Sequence, residues 1–202
     1  MSNMKDSPPN VNQRLAARVR ELRASHHLSL DALAVKCGVS RSMLSRIERG
    51  ESSPTAVILE KLAAGLHVTL AALFDALSAT ANTSRHPVAR RPDQIEWKDP
   101  ASGYVRRNVS PPGVAQPAQI VEVNFPAGAR VAFESGARGV RVYQQIWVLQ
   151  GAMNITVGHE SHRLQAGDCL AMQLDRPTMF HNPTRKAARY AVVLSSENSR
   201  RR

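Results

Sequence analysis

In the run SRSMLSRIERG, residues 40–50, arginines and serines recur at spacings that gather them on one face. An arginine guanidinium is a rigid fork of N–H donors, shaped to hold a pair of acceptors such as guanine O6 and N7. Serine hydroxyls and further arginines can hold phosphate oxygens and so fix orientation. Such chemistry needs a scaffold that turns these groups outward together. A helix does this: Leu44 and Ile47 mark an apolar side, and Arg41, Ser42, Ser45 and Arg46 fall on the other.

The residues before that helix supply its support. Leu30, Leu33, Ala34 and Val39 continue the apolar set at helical spacings. Gly38 falls where the chain must turn sharply, and glycine accepts positive φ without a Cβ penalty. Ser40 then stands at the N-cap of the second helix, its hydroxyl placed to take a free backbone N–H. Two short helices across a tight turn, with polar and basic residues leading the second, have the geometry of a helix-turn-helix in a major groove.

Residues 10–77 resemble the five-helix, phage-repressor-like XRE domain of bacterial regulators. The resemblance runs through RVRELR at Arg18–Arg23, LSLDALA at Leu28–Ala34, GVSRSMLSRIERG at Gly38–Gly50, PTAVILEKLAAGL at Pro54–Leu66 and VTLAALF at Val68–Phe74. It implies that Arg41, Ser42 and Arg46 read bases, while Ser40, Ser45 and Arg49 hold phosphates. It also implies an ion pair, Arg23 with Glu48, tying the first helix to the recognition helix. For Arg49 simple solvation is an equal alternative. One departure is His27, where the family usually has glycine; a left-handed histidine there is strained, though histidine is enriched in that region. His26 and His27, adjacent and without neighbouring ligand types, read as solvated.

Charge agrees with a polyanionic partner but does not locate it. The 202 residues hold 27 Lys and Arg against 16 Asp and Glu, a net charge of +11. Residues 1–78 contribute 10 basic and 7 acidic side chains, and residues 100–202 contribute 13 and 6. The excess thus lies mainly outside the helix-turn-helix, where it can assist backbone contact, dock an anionic effector or aid solubility. Cys37 and Cys169 fall in different expected domains, which argues against a disulfide framework. The N-terminal MSNMKDSPPNVNQ is polar, and no run of about eighteen apolar residues occurs, so a cytoplasmic protein without membrane attachment is expected.

Residues 78–94, beginning SATANTSRHPVARRP, are poor in large apolar side chains and read as a linker. Beyond them the period changes to two. QIVEVNF, VRVYQQIWVLQG, AMNITVG, HRLQAGD, CLAMQL and ARYAVVLS alternate as short strands punctuated by Gly and Pro, which argues an antiparallel sandwich or barrel.

Residues 95–196 resemble the cupin family, a double-sheet jelly roll. The resemblance rests on FPAGARVAFE at Phe125–Glu134, QQIWVLQG at Gln144–Gly151, RLQAGDCLAM at Arg163–Met172 and LDRPTMFHNP at Leu174–Pro183. The fold class is therefore multidomain, all-α followed by all-β, as in bacterial one-component regulators. Metal-binding cupins use two histidines, a glutamate and a further histidine. The matching positions here fall near Glu134, Gly136, Gln144 and Thr178, of which one can ionise as a ligand. The resemblance thus implies no metal, no cofactor and no cupin enzymology; His181 would become a ligand only through a slip or bulge in its strand.

Stepping by two from the vacated metal positions gives an effector pocket of Glu134, Gln144, Val148, Thr178 and Phe180. Those groups suit a small polar organic ligand, whereas Arg106, Arg107, Arg138 and Arg141 would select a carboxylate or phosphate. Tyr143 and Trp147 lie on the opposite strand face, toward a dimer interface or the second sheet. The whole reads as a sequence-specific transcriptional regulator of double-stranded DNA, a homodimer joined through its cupin, with helix-turn-helix units on tethers. Two alternatives stay open: a cupin enzyme with an accessory helix-turn-helix, and a DNA binder with an inert barrel.

Overall fold

The computed structural model describes residues 10–74, 86–114, 116–134 and 141–197. The helical unit contains α1 (Val11–Ser25), α2 (Leu30–Cys37), α3 (Arg41–Glu48) and α4 (Ala56–Gly65), followed by a 3-10 turn at Ala71–Leu73. Each α-helix starts on a side chain that accepts one of its orphan N–H groups. Asn10 and Gln13 form a reciprocal capping box on α1, Ser29 caps α2, Ser40 caps α3 and Thr55 caps α4. Gly38 ends α2 in the left-handed region at φ 62°, as the tight turn requires.

Four α-helices, not five, stand among the described residues of this unit. His67, itself left-handed at φ 56°, stops the chain from continuing α4. The stretch Val68–Phe74 then makes only the 3-10 turn, and residues 75–77 of the expected fifth helix lie outside the described residues. His27 is left-handed too, at φ 52°.

Ten strands follow: β1 (Glu96–Lys98), β2 (Val105–Asn108), β3 (Ala118–Phe125), β4 (Arg130–Phe133), β5 (Arg141–Gln150), β6 (Ala152–Val157), β7 (Glu160–Gln165), β8 (Cys169–Gln173), β9 (Thr178–His181) and β10 (Ala188–Glu197). They pair antiparallel into two sheets, ordered β1-β2-β3-β10-β5-β8 and β4-β9-β6-β7. From β3 onward this interleaving of strands between two sheets is the jelly-roll order. Alternate residues of β5 are buried, so Val142, Gln144, Ile146 and Val148 point between the sheets while Tyr143 and Trp147 face out.

The helical unit does not hang free of the sandwich. Asp99, buried after β1, accepts a hydrogen bond from Ala56 N at the start of α4 (3.0 Å). Asn108 Nδ2 donates to Ala71 O (3.4 Å), and Thr69 Oγ1 to Gln119 Oε1 (3.4 Å). Phe74 packs on Trp97 at 5.7 Å between ring centroids, and the rings continue through Tyr104, Phe125, Tyr190 and Phe180 to Phe133. One apolar core therefore spans both units. The expectation of helical units on free tethers gives way to a docked arrangement. Of the expected linker, residues 78–85 lie outside the described residues, and Arg91–Asp93 form a 3-10 turn.

Candidate nucleic-acid interface and ligand cavity

Helix α3 buries Leu44, Ile47 and Glu48 and leaves Arg41, Ser42, Met43 and Arg46 exposed. Its position is fixed from behind. Arg23 of α1 donates through Nε and Nη2 to the two carboxylate oxygens of Glu48, at 2.7 and 2.8 Å, and through Nη1 to Leu28 O. Glu48 is only 5% exposed, so the bidentate pair locks the end of α3 to α1. The same contact raises the Arg23 pKa further above its ordinary value.

The sequence-named side chains divide by what already engages them. Ser40 Oγ accepts from Met43 N (3.2 Å) and so serves first as the cap of α3. Arg41 meets Asp31 at 2.8 Å, with both side chains 68% exposed, a pairing that water and salt weaken easily. Arg49 is fully engaged at the surface: it donates to both oxygens of Glu51 and to Ser45 Oγ. Arg46 is exposed, and while its backbone carbonyl accepts from Glu51 N (3.0 Å), its guanidinium forms no hydrogen bond or ion pair among the described residues. Beside it runs a groove of about 290 Å³ lined by Ser40, Ser42, Met43 and Arg46 on one side and Ser52, Ser53, Pro54 and Thr55 on the other. The hydroxyl-rich 52–55 loop was missed from sequence; the run SSPT between two helices was its only signal.

Inside the jelly roll a second cavity, of about 70 Å³, opens between the sheets. Gln144, Thr178 and Phe180 line it, as expected from the two-residue stepping. Val148 is fully buried but lies off the cavity wall, and Glu134 stands outside altogether. Glu134 follows the end of β4, is 82% exposed, and reaches Lys61 of α4 at 3.4 Å. Of the arginines named from sequence, Arg106 lines the cavity at 6% exposure. Arg107, on the opposite face of β2, pairs with Glu122 at 2.8 Å. Arg141 is exposed, and Arg138 lies outside the described residues, as does Gly136.

Sequence reasoning missed Tyr104 and Tyr190, both in the wall, and the contributions of Glu60, Thr69 and Leu70 from the helical unit. Burial pushes the Tyr104 phenol up to about 12, against a smaller opposing pull from Arg106. Burial also drives Tyr190 well above its ordinary value, so both phenols remain O–H donors at neutral pH.

Residues 19–73 match the helix-turn-helix family HTH_3. The chain carries an HTH_3 domain. The chain is 46% identical over 59 residues to the HTH-type transcriptional regulator SutR of Escherichia coli (strain K12), covering 29% of this chain and 33% of that protein. It is also 46% identical over 59 residues to the HTH-type transcriptional regulator SlrR of Bacillus subtilis (strain 168), covering 29% and 39%. The match thus spans about a third of the first relative and about two-fifths of the second. A crystal structure of an HTH_3 family transcriptional regulator from Vibrio cholerae aligns over 93% of this chain and 98% of its own, with a TM-score of 0.73 and 28% identity. The likeness therefore extends past the HTH_3 domain into the jelly roll.

Among the described residues no three His, Cys, Asp or Glu side chains converge as a metal site. His181 alternates with Thr178 and Phe180 along β9 and is half-buried off the cavity wall. Among the same residues no helix is long and apolar enough to cross a membrane. His26 and His27 are both exposed, in line with the solvated reading, and the His26 ring meets that of His67 edge to face at 6.1 Å.

Proposed function

We propose that this protein is a sequence-specific, DNA-binding transcriptional regulator whose jelly-roll cavity binds a small effector. The observation that carries the first half is α3 itself. It offers Arg46, Arg41 and Ser42 outward from a short helix whose end is anchored by the buried Arg23–Glu48 pair. A pre-positioned guanidinium is what base-edge recognition in a major groove requires. Ser45 and the 52–55 loop flank it with hydroxyls suited to phosphate oxygens, and Arg49 can exchange its exposed pairing with Glu51 for a phosphate. Ser40 serves mainly to start the helix.

A helix of this length covers only a few base pairs, so two copies would bind paired half-sites. The outer face of the larger sheet, with Ile120, Tyr143 and Trp147 exposed, is the surface we assign to the second copy. The cavity supports the sensing half because its wall includes residues of both units. A ligand held there touches the helical unit directly and can shift its placement, to the extent that it binds one placement better. The role is one of binding rather than catalysis, in a cytoplasmic setting.

Selection from a random duplex pool with the full chain tests the reading. A recurring, two-fold symmetric sequence is expected. Recovery of duplexes without any shared sequence would reduce the protein to a non-specific polyanion binder.

A further inference from the structure

Tyr104, Gln144, Thr178 and Tyr190 are each more than nine-tenths buried and all line the jelly-roll cavity. None of these side chains makes a hydrogen bond with another described residue. Buried polar groups nearly always have a partner, because leaving one unsatisfied forfeits the hydrogen bonds that water would have given it. Four such groups around one space point to a partner that is not part of the chain. Around them stand Val123, Phe125, Phe133, Leu174 and Phe180, an apolar wall suited to carbon rather than to bulk water.

Charge narrows the class. Arg106, 6% exposed, places a permanent positive charge in the wall. Glu60, from α4, is only half-buried, so solvent screens its charge more than that of Arg106. One buried cation suits one anionic group, and Glu60 in the same wall works against a second. The space, about 70 Å³, corresponds to a few waters, or roughly five to seven non-hydrogen atoms of an organic molecule.

We propose that the cavity is a site for a small monocarboxylate, its carboxylate met by Arg106 and the two phenols, and a hydroxyl or oxo group met by Gln144 and Thr178. The short carbon body packs on the phenylalanines. Thr69 and Leu70 close the same space from the helical unit, so the bound acid bridges the sensor and the reader. Arg106 also sets selectivity against neutral isosteres, since an amide offers it no charge. The site is a finer statement of the sensor role proposed above and depends on that role only for its consequence on DNA.

The test uses the full chain in thermal-shift and calorimetric titrations with acetate through pentanoate, lactate and pyruvate, and with lactamide and malonate as controls. At ~10 mM, a monocarboxylate bound tightly enough to saturate the cavity raises the melting temperature by several degrees. Lactamide and malonate should leave it nearly unchanged. Arg106→Gln should abolish the response. Because Arg106→Gln also perturbs a buried site, Tyr190→Phe supplies the cleaner arm. It should keep the unliganded melting temperature and weaken carboxylate binding roughly tenfold, since only a donor to the ligand is lost. Equal stabilisation by lactamide and lactate, undiminished binding in Tyr190→Phe, or silence across every acid would overturn the proposal. Binding of a monocarboxylate without any change in DNA affinity would uphold the site and overturn the sensor role.

Discussion

At the scale of the residue, the contrast between Arg46 and its neighbours decides what each can do. Arg49 has its guanidinium committed to Glu51 and Ser45, which also holds the Glu51 carboxyl below its ordinary range. The exposed Arg46 guanidinium has no such hydrogen bonds among the described residues; it acts on Glu51 only through the field of its charge. The resemblance already set Arg46 apart as a base reader and Arg49 as a phosphate contact or a solvated group. The pairing of Arg49 with Glu51 was not legible, because Glu51 lies off the periodic pattern of α3. The Arg23–Glu48 pair was legible from the family resemblance and acts as a brace. Glu48→Gln keeps the shape but removes the charge, and should destabilise the helical unit by about 1–3 kcal/mol, a loss that chemical denaturation would register. No change in the midpoint would mean that α3 is held by its apolar face alone.

His67 makes a further residue-scale prediction. Burial first, then Lys36 and His26, lower its pKa below the ordinary value near 6.5. The folded state therefore binds fewer protons than the unfolded one between that lowered value and about pH 6.5. Stability is fully present above pH 6.5 and falls as pH drops through the lowered folded value. His67→Asn tolerates the left-handed backbone and should flatten the decline in melting temperature between about pH 7 and 5. An unaltered pH profile in that variant would assign the acid sensitivity to other groups.

At the scale of the element, the strands were legible because alternation survives in a two-sheet sandwich: every second residue of β5 is buried. The cavity was only partly legible. Gln144, Thr178 and Phe180 follow from stepping by two along their strands. Glu134 does not, because β4 ends at Phe133 and the alternation lapses there. Val148 sits opposite Tyr190, where the pairing of β5 with β10 shifts register, and its side chain falls off the wall. Tyr104, Arg106 and Tyr190 come from β10 and the segment around β2; which of their residues share a wall is set by sheet pairing, not by local sequence. In the helical unit, the fifth helix failed for a local reason, the left-handed His67 followed by the β-branched Val68 and Thr69. Gly65 shows how tightly the elements meet: a Cβ there would strike Cys37 Sγ of α2. Alanine normally favours a helix over glycine by ~1 kcal/mol, but overpacking costs ~1–3 kcal/mol. Gly65→Ala should therefore lower stability in a thermal melt, and a stabilised variant would show that α2 and α4 can part without cost.

At the scale of the molecule, the helix-turn-helix unit and the jelly roll share one continuous core. The sequence announced two units but not their docking. Asp99 holding the start of α4 and Phe74 stacked on Trp97 bring together residues more than twenty positions apart across an unpatterned stretch. Trp147 is 52% exposed on the outer sheet face, with Tyr143 and Ile120 beside it on that face. Trp147→Glu should convert a dimer to monomers in sedimentation equilibrium and weaken operator binding without unfolding the chain. A dimer unaffected by that charge would place the interface elsewhere.

The central claim is that α3 reads base sequence through Arg46. The measurement that meets it most directly compares the affinity of the full chain for its selected duplex and for a scrambled duplex, at fixed salt, with and without Arg46→Ala. The account predicts that the wild type prefers the selected duplex by ~10³-fold or more. It predicts that Arg46→Ala costs ~1–3 kcal/mol on that duplex and much less on the scrambled one. An equal loss on both duplexes would make Arg46 a phosphate contact and contradict the claim.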